Sequence, residues 1–163
     1  MKKLFVFVAL CLSFKISNAQ IEPTPLFIKQ PVIPSFRLIN VADSSIFTKD
    51  FLDKRKATIL MVFSPDCEHC QQMTKEITAN IKKFKKVQIV MTSPLPYDFI
   101  KKFYIDYKIA KYPIITLARD PTYFLGNFFK VRSFPSFFIY NKKGELVNWY
   151  NGETPLEKII ASY

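Results

Sequence analysis

The chain has 163 residues, 24 lysines and arginines against 13 acidic residues, and a formal net charge of +11. This length suffices for one domain with a hydrophobic core. No nucleic-acid recognition motif is present, so we expect no nucleic-acid partner. The basic residues form no single block, so solvated helix faces are expected, with attraction to acidic partners or to an anionic membrane surface as the alternative. They include Lys82, Lys83, Lys85, Lys86, Lys101 and Lys102.

Residues 1–19 have the pattern of a secretory signal peptide. Two lysines precede an apolar stretch at 4–14, and Ser17 and Ala19 are small residues before a cleavage site. The stretch is too short to span a bilayer, and Lys15 interrupts it. Cys11 follows a bulky leucine, which disfavours a lipoprotein. We therefore expect export, and a mature chain that starts at Gln20.

The first elements follow a proline-rich leader at 20–34, which we expect to be extended. Residues 36–41 alternate loosely and predict a strand, and 46–52 predict a short helical turn. The continuous apolar run at 57–63 is typical of a strand buried on both faces of a sheet.

The pattern then changes to a helical one. Apolar residues recur every three or four positions from Glu68 to Lys86, which predicts an amphipathic helix. The next predictions are strands at 87–91 and 114–117, helices at 97–107 and 123–128, a hairpin of strands 136–140 and 145–150, and a last helix from Pro155 to Ala161. This order predicts an α/β domain whose mixed sheet is antiparallel at the hairpin.

Cys67 and Cys70 are the two cysteines of the expected mature chain, at the junction of the buried strand and the long helix. A structural disulfide across two residues would remove little entropy from the unfolded chain. A metal site, copper included, is disfavoured because it needs about four ligands and only His69 adds to the pair. Residues three apart on a helix face the same side, and their α-carbons are close enough for a disulfide bond. This spacing favours a redox-active Cys67–Cys70 disulfide.

The two cysteines are expected to differ in role. Cys67 would lie at the helix N-terminus, where unpaired amides and the helix dipole favour a thiolate. Cys70 lies one turn further in and should be more covered, so Cys67 would attack and Cys70 would resolve. His69 as a cation would favour the thiolate, whereas Glu68 and Asp66 would oppose it. Glu68 and His69 are therefore the residues expected to tune the redox chemistry.

A strand that ends in Phe-Ser-Pro-Asp before a Cys-x-x-Cys helix resembles the thioredoxin superfamily. So does the segment from Val131 to Ile139, which places Pro135 just before a buried strand and hairpin. The resemblance covers about 33–163 and implies a thioredoxin-like fold, a central mixed β-sheet flanked by helices, with a domain at 35–163. It further implies that Pro135 is cis, that Phe134 faces Cys67, and that Phe134 and Pro135 bind substrate.

Phe36-Arg-Leu-Ile-Asn and Ser45-Ile-Phe-Thr make the chain similar to TlpA-like thiol–disulfide oxidoreductases of bacterial envelopes. This implies a periplasmic enzyme of a Gram-negative bacterium that needs no cofactor. Its partners would be disulfide-containing envelope proteins and a membrane thiol–disulfide electron-transfer protein. The chain departs from the family at three positions, with Asp66 for a tryptophan, Met61 for a buried acid and Ser136 for a threonine.

Three alternatives remain open at this point. The family resemblance favours a reductant, whereas a histidine just before the second cysteine is shared with DsbA-type oxidants. A non-catalytic thioredoxin-like binding module could use the aromatic stretch 97–140. Ser64, three residues before Cys67, matches the peroxiredoxin pattern only in part.

Overall fold

The computed structural model describes residues 24–163, so the predicted signal peptide and the start of the leader lie outside the described residues. Within them, seven strands form one sheet in the order β2-β1-β5-β4-β3-β6-β7. The strands are β1 Arg37–Asn40, β2 Ile46–Thr48, β3 Ala57–Val62, β4 Val87–Ser93, β5 Ile115–Arg119, β6 Ser136–Tyr140 and β7 Leu146–Asn151. The helices are α1 Leu26–Lys29, α2 Glu68–Ala79, α3 Tyr97–Asp106, α4 Phe124–Phe128 and α5 Leu156–Ile160.

The central strand of the sheet is β4. Beside it lies β3, which pairs in parallel with β4 and antiparallel with β6. All six residues of β3 are buried, because helices cover both faces of the sheet. One core cluster includes Cys70 and Met73 of α2, and the other includes Phe27 and Leu125 from α1 and α4. The predicted α/β fold with a mixed sheet and a terminal hairpin is confirmed.

The predicted helical turn at 46–52 is wrong in its first half. Ile46–Thr48 is an edge strand that pairs antiparallel with β1, and a 3-10 turn follows at Lys49–Phe51. The Thr48 hydroxyl accepts a hydrogen bond from the Asp50 amide and caps that turn. Pairing with β1 decides the conformation, and the sequence of so short a segment does not reveal it.

The predicted helix to Lys86 is also too long, since α2 ends at Ala79. The Asn80 side chain donates to the Glu76 carbonyl at 3.0 Å, and a 3-10 turn follows at Ile81–Lys83. This turn still delivers Ile81 and Phe84 to the core, so the apolar spacing continues past the end of the helix.

The leader is not extended throughout, because Leu26–Lys29 forms one helical turn. Phe27 of this turn is 4% exposed and lies edge-on to Phe129, Phe138 and Trp149. Val32 then forms a β-bridge with Glu145 at the start of the last strand. The described part of the leader, residues 24–34, therefore contributes to the core of the domain.

Within residues 24–163, none of the helices has the length and apolar character needed to cross a membrane.

Candidate active site

Cys67 immediately precedes α2, at the end of a tight turn that leaves β3. The Cys67 amide donates to the Ser64 carbonyl at 3.1 Å, and the Cys67 carbonyl accepts from the Gln71 amide at 3.0 Å. The Ser64 hydroxyl donates to the Asp66 carboxylate, and the Gln71 side chain donates to the Pro65 carbonyl at 2.9 Å. These bonds hold Cys67 at the N-terminus of α2, where backbone amides are unpaired.

Cys70 lies one turn further along α2 and is 0% exposed. The Thr74 hydroxyl donates to its carbonyl at 2.8 Å. Burial raises the pKa of the Cys70 thiol, and this effect outweighs a backbone hydrogen bond at Ser64 that acts in the opposite direction. Both cysteines are free thiols, with Cys67 partly exposed and Cys70 buried. At neutral pH the buried sulfur is therefore protonated, and the partly exposed one is available to attack.

The loop before β6 lies against Cys67. The Cys67 thiol donates to the Phe134 carbonyl, with 3.8 Å between Sγ and oxygen. The Phe134–Pro135 peptide bond is cis, and Pro135 is buried. The Ser136 hydroxyl donates to the Ser133 carbonyl at 2.6 Å, and the Gly152 amide donates to the Pro135 carbonyl at 2.9 Å. The loop is thus held from two sides next to the attacking sulfur.

His69 and Glu68 both lie exposed in the first turn of α2. His69 Nδ1 is 3.6 Å from the Glu153 carboxylate, and both side chains are largely exposed, 61% and 80%. The Glu68 carboxylate forms no hydrogen bond or ion pair with another residue in the described part of the chain. Sequence reasoning missed Glu153, which follows β7 and belongs to no motif. Its proximity to His69 depends on the packing of the β7–α5 loop beside α2.

Two grooves flank the first turns of α2. A groove of about 350 Å³ lies between α2 and the β7–α5 loop, and its lining includes His69, Met73, Glu76, Pro135, Glu153 and Pro155. A wider groove of about 750 Å³ lies between α2 and α3, and its lining includes Pro65, Asp66, Gln71, Phe99, Phe103 and Tyr107. A partner segment that reaches Cys67 can therefore extend to either side of the sulfur.

An apolar residue lies where the family has a buried acid. Met61, which occupies the place of the family's buried acid, is fully buried in the same cluster as Cys70. It lies in register with Met91 and Phe137 on the neighbouring strands. Among residues 24–163, no group of three or more histidines, cysteines and acids is placed to hold a metal ion.

Residues 48–163 match the sequence model of a protein family that is described as a thioredoxin-like domain. The chain belongs to this family. No curated protein matches the sequence significantly. A candidate thioredoxin from Neisseria meningitidis is similar at 25% identity, with a TM-score of 0.63 over 78% of this chain and 84% of the other.

Two further solved structures share the fold. A secreted disulfide oxidoreductase of Mycobacterium tuberculosis, homologous to E. coli DsbE, is 15% identical, with a TM-score of 0.65 over 78% of this chain and 93% of the other. Peroxidoxin BcpB of M. tuberculosis is 14% identical, with a TM-score of 0.69 over 80% of this chain and 92% of the other. The predicted membership of the thioredoxin superfamily is confirmed. At these identities the two structures establish the fold alone and do not distinguish disulfide reduction from peroxide reduction.

Proposed function

We propose that the protein is an exported thiol–disulfide oxidoreductase that reduces disulfides of cell-envelope proteins. One observation carries this proposal: Cys67 Sγ, at the start of α2, lies 3.8 Å from the Phe134 carbonyl oxygen. It puts the attacking sulfur beside the partly exposed loop before β6, along which an extended substrate segment can lie. The buried Cys70 one turn behind supplies the second thiol.

The first step forms a mixed disulfide. The Cys67 thiolate attacks one sulfur of the substrate disulfide, and the other substrate sulfur leaves as a thiolate. A disulfide bond between Cys67 and the substrate replaces the substrate's own disulfide bond. The Cys67 sulfur is oxidised and the leaving substrate sulfur is reduced, so the step needs no other oxidant or reductant. Backbone groups at Phe134 and the buried Pro135 position the substrate during this exchange.

The second step releases the product. Cys70 loses its proton and attacks Cys67 Sγ, and the remaining substrate sulfur departs as a thiolate. Because burial raises the pKa of Cys70, this proton needs an acceptor. Met61 offers no carboxylate, so we assign that role to a substrate thiolate as it leaves. The substrate gains two electrons from the enzyme, one proton from Cys70 and one from solvent, which matches the proton that Cys67 released on forming its thiolate. The enzyme is left with a Cys67–Cys70 disulfide.

A membrane dithiol protein is the proposed source of electrons that reduce the 67–70 disulfide again. A DsbA-type oxidant would run the same exchanges in reverse. The equilibrium redox potential distinguishes the two directions. We expect a value near or below about −230 mV against glutathione buffers, and a value near or above about −180 mV would make the protein a disulfide donor.

Trapping tests the chemistry itself. A Cys70→Ala variant should accumulate mixed disulfides through Cys67, visible as adducts on a non-reducing gel that disappear with reductant. The matched Cys67→Ala variant should form none and lose all turnover. A binding module that needs no chemistry would keep its partner in both variants and form adducts in neither.

Export is supported by the pattern of residues 1–19. Expression with the native N-terminus in a Gram-negative host should yield a mature protein that begins at Gln20 in the periplasmic fraction. A full-length protein retained in the cytoplasm would contradict export without bearing on the thiol chemistry.

A further inference from the structure

A basic cleft lies at the end of the sheet opposite the cysteines. Its volume is about 500 Å³, and it is lined by Ala57, Lys85, Lys86, Asn141, Lys142, Lys143 and Tyr163. Ala57 begins β3, whereas Cys67 follows the other end of that strand. A strand of this length spans about 20 Å, so the cleft and the reacting sulfur are at least about that far apart.

The lysines of the cleft come from two separate loops. Lys85 and Lys86 precede β4, and Lys142 and Lys143 form the turn between β6 and β7. All four are exposed, and none is in an ion pair with a residue of the described chain. The nearest hairpin acid, Glu145, accepts a hydrogen bond from the Asn141 side chain at 2.9 Å. The fold therefore gathers positive charge from distant parts of the sequence, and among residues 24–163 no ion pair involves these lysines.

The backbone at Lys86 is in the left-handed region, with φ of 60°. This conformation is unfavourable for any residue with a Cβ and is usually taken by glycine or asparagine. The Lys86 carbonyl accepts a hydrogen bond from the Ala57 amide at 3.0 Å, which anchors the loop to β3. A lysine thus occupies the position at a conformational cost.

Amphipathic and apolar groups border the charge. The Tyr163 ring stacks on Phe84, with centroids 6.5 Å apart, and its hydroxyl donates to the Lys83 carbonyl at 3.4 Å. Val32 is 51% exposed and bridges to Glu145 beside the basic turn. Tyrosine rings and lysine side chains with apolar neighbours are typical of surfaces that lie in the headgroup region of a bilayer.

We propose that this basic cleft, Lys85, Lys86, Lys142 and Lys143 with Tyr163, docks the protein on membranes rich in anionic phospholipid. Lysine ammonium groups are compact point charges, which suit an array of mobile phosphates better than one fixed planar ligand. Because the cleft is at the far end of β3, docking leaves Cys67 facing away from the bilayer and open to soluble substrates. The membrane dithiol protein would then reduce the 67–70 disulfide in protein that has left the lipid surface. The docking does not depend on the thiol chemistry.

Vesicle co-sedimentation with the purified protein tests the proposal. We expect binding to vesicles of equal parts phosphatidylglycerol and phosphatidylcholine, little to phosphatidylcholine alone, and loss of binding as salt is raised. Each lysine near an anionic surface strengthens binding about fivefold. The variant Lys85→Gln, Lys86→Asn, Lys142→Gln, Lys143→Gln should therefore bind at least about 100-fold more weakly.

A second quadruple variant removes the same charge elsewhere. It carries Lys49→Gln, Lys75→Gln, Lys130→Asn and Lys158→Gln, and Lys130 is matched to Lys86 because its φ is 54°. We expect it to lose less than about fivefold. Equal losses in the two variants would mean that net charge alone attracts the protein, and would overturn the assignment of the cleft. Equal binding to neutral vesicles, or full displacement by millimolar glycerol phosphate, would also overturn it, the latter in favour of a free-anion site.

The labelling rate of Cys67 tests how the protein is oriented on the membrane. A bulky water-soluble maleimide should label Cys67 at the same rate, within about twofold, on vesicle-bound and free protein. The rate should not change because Cys67 remains exposed to the reagent when the cleft is on the membrane. Protection of Cys67 on vesicles would contradict the proposed orientation. A Cys67→Ser variant should bind vesicles like the wild type, so failure of the redox proposal would leave this test intact.

Discussion

Unequal reactivity of the two cysteines is the sharpest consequence of the site. In reduced, folded protein at pH 7, we expect iodoacetamide to alkylate Cys67 and to leave Cys70 unmodified. Alkylation requires the thiolate and access to the sulfur. Cys67 is partly exposed at the helix start, whereas Cys70 has no exposed surface and a pKa that burial raises.

The expected ratio follows from these two effects. A thiol of ordinary pKa, about 8.5, is roughly 3% thiolate at pH 7, and each further unit of pKa lowers that share tenfold. The raised pKa of Cys70 and its need for local opening act in the same direction. We therefore expect Cys67 to react at least about 100-fold faster than Cys70.

Peptide mass spectrometry after timed quenching measures both rates in one sample. The Cys67→Ala variant isolates the slow cysteine, and the Cys70→Ala variant isolates the fast one. Both sites should be labelled equally once the protein is unfolded in denaturant. Comparable rates in the folded protein, or faster labelling of Cys70, would refute the division into attacking and resolving sulfurs.

Three further predictions concern the surroundings of the site. Phe27→Ala should lower the free energy of unfolding, measured in urea, by about 3–5 kcal/mol. Leu26→Ala, at a 46% exposed position, should lower it by less than about 1 kcal/mol. Equal effects of the two substitutions would mean that the leader does not belong to the core. Gly152→Ala and Gly144→Ala, at φ of 79° and 77°, should each lower stability by about 1–2 kcal/mol, but only Gly152→Ala should slow disulfide reduction, because the Gly152 amide holds the Pro135 carbonyl. Glu153→Gln should raise the redox potential by up to about 20 mV because it removes a carboxylate that lies beside His69 near the attacking sulfur, with Glu157→Gln as the control that leaves the potential unchanged.

Local pattern was enough to locate the cysteine pair. The apolar run before Cys67 and the helical spacing after it predicted a buried strand and a helix, and the structure has β3 and α2 there. The burial of Cys70 follows from the same pattern, since it lies on the apolar side with Met73 and Ile77. These features depend on neighbours within a few turns, which the sequence states directly.

Features that depend on contacts between distant parts of the chain could not be predicted from the sequence pattern. Phe134 could be placed near Cys67 only through the family resemblance, because nothing in its own segment indicates the contact. Glu153 is an exposed acid in a loop, and no pattern marks it as the neighbour of His69. The convergence of Lys85 with Lys142 likewise depends on β3 bringing two loops together at one end of the sheet.

The surroundings of Cys67 bear on the direction of electron flow. Strong oxidants of this class owe their high potential to a stabilised reduced form, and dithiol potentials span about −270 to −120 mV, or about 7 kcal/mol. Here Asp66 and Glu68 put two exposed carboxylates beside the attacking sulfur. The one nearby histidine is 3.6 Å from Glu153, a third carboxylate close to the helix start. Positive charge is thus not concentrated at Cys67, and the reduced form gains little beyond what the helix N-terminus supplies. This balance favours a reductant, with a Cys67–Cys70 disulfide more stable than that of the oxidants.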